Sequence, residues 1–207
     1  SGDTNYAPAQ DNITISVAKA SNEITVYAPD AAHDENALII IIADVDGEYN
    51  LNINGKKFII HVLNGIGIVN LGIMDTGNYT VQVIFTGNDN YNASANKTTF
   101  EVIKTETNFN IIVNDSSITY GDPITVTQSL PGDATGSITY YFANGTIIKV
   151  ITVDDSFILA GLNAGTYTIY ANYSGDTNYA PAQDNITITV AKASNEITVY
   201  APDAAHD

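Results

Sequence analysis

Apolar residues in this chain come in short runs with a two-residue period. Tyr79, Val81, Val83 and Phe85 share one parity, and Tyr167, Ile169, Ala171 and Tyr173 repeat the pattern further along. In an extended strand such residues line one face, so all eight are expected to point into a core. Clusters of Gly, Asn and Asp separate the runs, at roughly 8–12-residue spacing. The pattern predicts strands at 23–27, 38–43, 49–53, 58–63, 67–71, 79–86 and 98–103. A second set follows at 109–113, 124–128, 137–142, 146–150, 156–159, 167–173 and 185–190. Two groups of seven short strands read as all-β sandwiches. Asn54-Gly55 and Asn144-Gly145 are expected to supply the positive φ angles of tight hairpin turns.

The order of these strands repeats at two levels. Residues 1–34 return at 174–207 with one change, Ser16 to Thr189. Within that long period, residues 77–102 align with 165–190 on a shared skeleton, G-x-Y-T-[VI] followed by G-[ND]-x-N-Y. Repeats at fixed spacing define the architecture before any single residue does. They divide the chain into the last strand of a preceding B-type domain (residues 1–18), an A-type domain (19–103), a B-type domain (104–192) and the first strand of a following A-type domain (193–207). Each complete domain is at the small end of what buries a self-sufficient core. The junctions at 17–26 and 102–110 are short and carry no Gly/Ser-rich stretch, so a semi-rigid, end-to-end array is expected. The lone strand sequences at the two ends would then pair with neighbouring copies.

Composition narrows the picture. The chain has no Cys, which excludes disulfides and thiolate metal sites. Seven lysines and no arginine stand against 23 acidic residues, a net charge of −16. Such a surface repels nucleic acid and anionic lipid. No apolar run reaches the length of a membrane span, so neither nucleic acid nor membrane insertion of this segment is expected.

Candidate chemistry is sparse. Only His33, His61 and His206 are available, and no Ser/His/Asp set or phosphate-cradling loop can be assembled from them. An enzyme is not expected. Asp44, Asp46 and Glu48 place three carboxylates within five residues, an oxygen-rich group suited to Ca²⁺. The same Asp-Gly run also reads as an ordinary solvated turn. Asp30, Asp34 and Glu35 form a second acidic group. Tyr79 and Tyr167, each opening its strand after a Gly-x pair, stand where a tyrosine corner sits, with the hydroxyl bonded to upstream backbone. Lys104, with Glu106 nearby, is a candidate for an intramolecular amide crosslink. Eight Asn-x-Ser/Thr sequons occur, and loop positions Asn92, Asn96, Asn114 and Asn144 are the glycosylation candidates.

The string Y-x-G-D-x-N-Y-x-x-A stands here as Tyr173, Gly175, Asp176, Asn178, Tyr179 and Ala182, and Gly2, Asp3, Asn5, Tyr6 and Ala9 repeat it. It resembles the tandem bacterial-type immunoglobulin-like repeat domains of large cell-surface adhesin-like proteins, and most nearly those of methanogenic archaea. The A-type copy departs from it, with Phe85 for the first Tyr and Asn88 for Asp. The resemblance implies an extracellular, surface-anchored array of immunoglobulin-like sandwiches with no catalytic residues. Expected partners are neighbouring identical repeats, in the same or adjacent chains, and surface glycans or proteins of a host or microbe. A different reading is a carbohydrate-binding module that grips polysaccharide through exposed tyrosines such as Tyr6, Tyr27 and Tyr91.

Overall fold

The computed structural model describes residues 2–201, so His206 and the end of the 193–207 segment lie outside the described residues. The all-β expectation holds: sixteen strands and no helix occur among the described residues. The chain divides into two compact units. One comprises the residues up to Ala31 and Glu35–Val102; the other comprises Ala32–Asp34 and the residues from Ile103 onward.

In the first unit, β1 (Ile24–Tyr27), β3 (Ala37–Ala43) and β6 (Ile66–Gly72) form a three-stranded sheet. β2 (Ala31–Ala32), β8 (Ser94–Ile103), β7 (Gly77–Phe85), β4 (Gly47–Ile53) and β5 (Lys56–Val62) form a five-stranded one, in that order. The second unit repeats the plan. β9 (Asn110–Val113), β11 (Ile124–Ser129) and β14 (Phe157–Leu159) form the small sheet, with β11 in the centre. β10 (Ser117–Thr119), β16 (Ala182–Ala191), β15 (Gly165–Tyr173), β12 (Ser137–Phe142) and β13 (Ile147–Thr152) form the large one.

All fourteen expected strands are present, with ends shifted by a few residues. Two strands go beyond them. β2 is two residues long, and β10 is three residues long and pairs in parallel with β16. Segments this short carry no alternation to read. Their contribution is to close one edge of each large sheet.

Six of the eight expected core residues are fully buried: Val81, Val83, Phe85, Ile169, Ala171 and Tyr173. Tyr79 and Tyr167 are half-buried and pack against the rims of the two cores. The first core also holds Tyr49, stacked on Phe85 with ring centroids 5.1 Å apart. Its hydroxyl is satisfied internally: it donates to the Val45 carbonyl at 2.6 Å and accepts from Asn22 Nδ2 at 3.0 Å. The second core buries Tyr140, whose hydroxyl donates to Gln128 Oε1 at 2.8 Å. Burial pushes the Tyr140 phenol up to about 12.

The turns differ from the sequence expectation in one place. Asn54 and Gly55 both have positive φ (47° and 91°), as the β4–β5 hairpin requires. In the β12–β13 hairpin only Gly145 does (φ 83°). There Gly145 N–H donates to the Phe142 carbonyl, Phe142 N–H donates to the Thr146 carbonyl, and the register shifts at Tyr140/Tyr141. The longer loop needs one left-handed residue, followed by a bulge. A further tight turn, Asn64-Gly65 (φ 53° and 80°), joins β5 to β6.

The end copies behave differently from their twins. Residues 9–18 carry the sequence of β16 with Ser16 in place of Thr189, yet form no strand. Ile13, Ile15 and Val17 are 88%, 79% and 91% exposed, whereas Ile188 and Val190, the twins of Ile15 and Val17, are buried. Ile197 and Val199, twins of Ile24 and Val26, are likewise exposed. A strand sequence without a sheet beside it has no cross-strand partners to fix it.

Candidate functional site

The G-[ND]-x-N-Y motif forms the loop before the last strand of each unit. In the second unit, Gly175 (φ 70°) opens it. A Cβ there would meet Pro181 N at 2.8 Å and the Tyr179 carbonyl at 2.9 Å, so only glycine fits. Asp176 N–H donates to the Tyr179 carbonyl at 3.1 Å. Asp176 Oδ1 in turn accepts the N–H groups of Asn178 and Tyr179, both at 2.8 Å. The acidic side chain thus replaces backbone partners that the tight loop cannot supply.

The first unit builds the same loop with an amide. Asn88 Oδ1 accepts from Asn90 and Tyr91, both at 2.9 Å, and Gly87 has φ 83°. Residues 2–6 adopt it too: Asp3 Oδ1 accepts from Asn5 and Tyr6 at 2.8 and 2.9 Å. That copy has no strand around it, so the loop conformation is encoded locally.

Each loop grips the residues that lead into its own unit. Ala20 N–H donates to the Asn90 carbonyl at 2.8 Å, and the Ala20 carbonyl accepts Asn92 N–H at 2.9 Å. Lys19 Nζ adds a bond to the Asn88 carbonyl at 2.6 Å. In the second unit Thr105 makes the same pair with Asn178 and Ala180, both at 2.9 Å, and Lys104 Nζ donates to the Asp176 carbonyl. Lys104, the crosslink candidate, therefore meets a backbone oxygen of the loop. The motif is a clasp for the entering chain, made mostly of backbone bonds.

The second unit reinforces its clasp. Asp176 Oδ2 accepts Thr135 N–H at 2.6 Å and the Thr135 hydroxyl at 3.0 Å, and Tyr173 donates its hydroxyl to the Thr135 carbonyl at 2.7 Å. Burial pulls the Asp176 pKa up, but the N–H groups of Thr135, Tyr179 and Asn178 and the Thr135 hydroxyl outweigh it and hold it at about 2. Tyr179 donates to Asp133 Oδ1 at 2.6 Å. That bond, foremost, and burial push the Tyr179 phenol up to about 12. The same bond lowers the pKa of Asp133 against the opposing effect of burial. His33, grouped with this unit, is buried with its ring edge-on to Tyr179 and Nε2 3.6 Å from Asp133 Oδ2. Nothing in the sequence pattern marks this cluster, because its members are far apart along the chain.

The other candidate residues are dispersed. Asp44 Oδ2 accepts Glu23 N–H at 2.9 Å. Asp46 caps the Asn64-Gly65 turn, accepting both N–H groups at 2.9 Å; these two bonds, Gly65 foremost, lower its pKa. Glu48 lies 3.9 Å from His61 Nε2. The three carboxylates thus serve three different partners. Among the described residues no group of three His, Cys, Asp or Glu side chains converges as a metal site. Asp30 Oδ1 accepts Glu101 N–H at 2.6 Å, and Asp34 exchanges hydrogen bonds with the Thr105 hydroxyl.

Tyr79 donates its hydroxyl to the Asp75 carbonyl at 2.8 Å, and Tyr167 to the Asn163 carbonyl at 3.0 Å. Both bonds reach back four residues. Tyr6 and Tyr27 are exposed, whereas Tyr91 packs against the first core. The sequon residues Asn92, Asn96, Asn114 and Asn144 are all exposed, but Asn96 lies within β8, paired opposite Val83, and not in a loop. Asn92 Nδ2 donates to the Lys19 carbonyl and Asn96 Nδ2 to the Ile24 carbonyl. The side-chain oxygens of Asn114 and Asn144 accept backbone N–H from Thr125 and Thr146. A cleft of about 360 Å³ is lined mainly by the apolar side chains of Ile53, Phe58, Leu71, Ile73 and Met74, with Asn54, Lys56 and Tyr79 at its rim.

Residues 111–191 match the bacterial Ig-like domain (group 3) family. No curated protein matches the chain. Similar solved structures include fibronectin(III)-like modules of Clostridium thermocellum CbhA, at 15% identity, covering 87% of this chain and 100% of that one, with a TM-score of 0.35. Titin domains A168-A170 share 14% identity over 83% of this chain and 65% of theirs, with a TM-score of 0.47. The adhesin InvE of Yersinia pseudotuberculosis shares 11% identity over 81% of this chain and 58% of its own, with a TM-score of 0.37. The strand order of both units and the family match over the second define a tandem of immunoglobulin-like β-sandwich domains.

Proposed function

We propose that this chain is a non-enzymatic structural repeat of an extracellular cell-surface adhesin or filament. It acts as a semi-rigid stalk that holds a distal region away from the cell. The observation that carries this reading is the clasp. In both units the residues entering the domain are tied by paired backbone bonds and a lysine to the loop before the last strand. A chain held at its point of entry has few free torsions left to bend. Near-identical copies 173 residues apart give each period the same job. The family match over the second unit supports the extracellular setting.

Varying the number of periods beneath a terminal epitope on a displaying cell tests the proposal. Epitope height should rise in proportion to period number. A height independent of period number sinks it. Tyr6 and Tyr27 remain exposed, which keeps the carbohydrate-binding reading testable: a glycan array probed with one period separates the two, because a stalk gives no saturable signal.

A further inference from the structure

The outer face of the small sheet in the first unit carries a contiguous apolar patch, with Thr25 beside Ile42 and Asn70 beside Leu38 at its margins. Two cross-strand rows build it. Tyr27, Ile40 and Ile68 lie side by side across β1, β3 and β6, and Ile42 sits beside Ile66 in the next row. Leu38 extends the patch along β3. Tyr27, Leu38, Ile42, Ile66 and Ile68 are between 38% and 63% exposed. None of the six carries a charge, in a chain with a net charge of −16. On the matching face of the second unit the central strand presents Thr125 and Thr127, which separate the exposed Ile158 and Ile112 on the two flanking strands. An exposed contiguous apolar face of this kind marks an interaction site.

We propose that this face packs against the same face of a second copy of the chain, joining arrays side by side. Three observations select that occupant. First, the patch is the uncharged ground on which two strongly acidic chains approach without repulsion. Its acidic end, Glu23 and Asp44, lies at one edge, so a two-fold antiparallel pairing carries the two acidic ends to opposite sides. Second, the footprint is small. Three strands about 17 Å long at about 4.8 Å spacing cover roughly 250 Å² per copy. A pair buries about 500 Å², well short of the roughly 1,200 Å² of a stable isolated complex. Such a contact holds only when repeated. Third, it is repeated: Ile24–Tyr27, the edge strand of this face, recurs in sequence at residues 197–200. The partner that offers matching faces at a matching period is another array of the same chain, for which linkage multiplies weak contacts. This inference rests on the repeat-array reading but not on the stiffness of the stalk.

Sedimentation equilibrium of the 207-residue chain and of a two-period chain tests it, with the height experiment above scoring the stalk separately. The single chain should associate weakly, in the millimolar range, and the two-period chain at least tenfold more tightly. Association should strengthen with added salt, which screens the acidic rim. The double variant Ile42→Glu/Ile68→Glu should abolish it with an unchanged melting temperature. Ile42→Thr/Ile68→Thr, which breaks the patch with uncharged threonines, should weaken it even if the glutamates disturb folding. Ile59→Glu, on the large sheet, should leave it intact. A two-period chain that stays monomeric at millimolar concentration overturns the proposal and gives the face to a different partner. Association untouched by either double variant overturns it as well.

Discussion

Asp176 accepts the amide proton of Thr135 at 2.6 Å and so ties the clasp loop of the second unit to the segment leading into β12. The first unit has Asn88 at the same place in its loop. One clasp therefore rests on a carboxylate that titrates in acid, and the other on an amide that does not.

This difference predicts unequal acid sensitivity. The Asp176 pKa is lowered from 3.8 to about 2 in the fold. A depressed carboxylate contributes stability that is present above pH 3.8 and lost as pH falls through about 2. Because Asp176 is partly exposed, its contribution is on the order of 1 kcal/mol. Urea denaturation of the second unit followed from pH 5 to pH 2 should show this loss. Asp176→Asn should reduce it, leaving the part that belongs to Asp133, whose pKa is also lowered, and cost about 1–2 kcal/mol at neutral pH, since an amide N–H would face the Thr135 N–H.

Glycine is required at the mouth of the clasp. Gly175→Ala and Gly87→Ala each force a side chain onto a left-handed backbone and against backbone atoms at 2.8–2.9 Å. Each should destabilise its own unit by about 1–3 kcal/mol in thermal melts. Gly145→Ala, where a Cβ meets nothing within 4 Å, should cost less.

The tyrosines separate by burial. Tyr49→Phe strips the Val45 carbonyl and Asn22 of a fully buried partner and should cost about 1–3 kcal/mol. Tyr79→Phe and Tyr167→Phe remove half-exposed bonds of the corner type, and each should cost about 1 kcal/mol or less. Denaturation midpoints of the three variants check the order.

The lysine of the clasp is exposed, so its electrostatic value is small. Lys104→Met should lower global stability by less than about 1 kcal/mol. It should nevertheless speed hydrogen exchange at the Thr105 and Ala180 amides, which form the paired bonds beside it.

The fold was legible in the sequence wherever a period of two ran for four or more residues, as in β7 and β15. It was not legible in β2 and β10, whose two and three residues are held by a neighbouring strand edge and not by a pattern of their own. The clasp loop was legible as a motif because its Gly and Asx act within a few residues. Its grip on Ala20 and Thr105 was not, because those contacts join residues about 70 apart. Asp46 shows the limit of reading charge by proximity. Three neighbouring carboxylates read either as a cation site or as a solvated turn, and each meets a different partner: Asp44 the Glu23 N–H, Asp46 the turn it caps, and Glu48 the His61 ring. Likewise, Asn144 was read as a second left-handed residue, but the register shift in β12–β13 makes one glycine enough.

The central claim is that repeated sandwiches with clasped entries make a stiff spacer. Small-angle X-ray scattering from chains of one, two and four periods, at concentrations low enough to keep them monomeric, tests it most directly. The account predicts a maximum dimension that grows linearly, by about 80 Å per two-domain period. Growth with the square root of period number would mean free hinges and would contradict it.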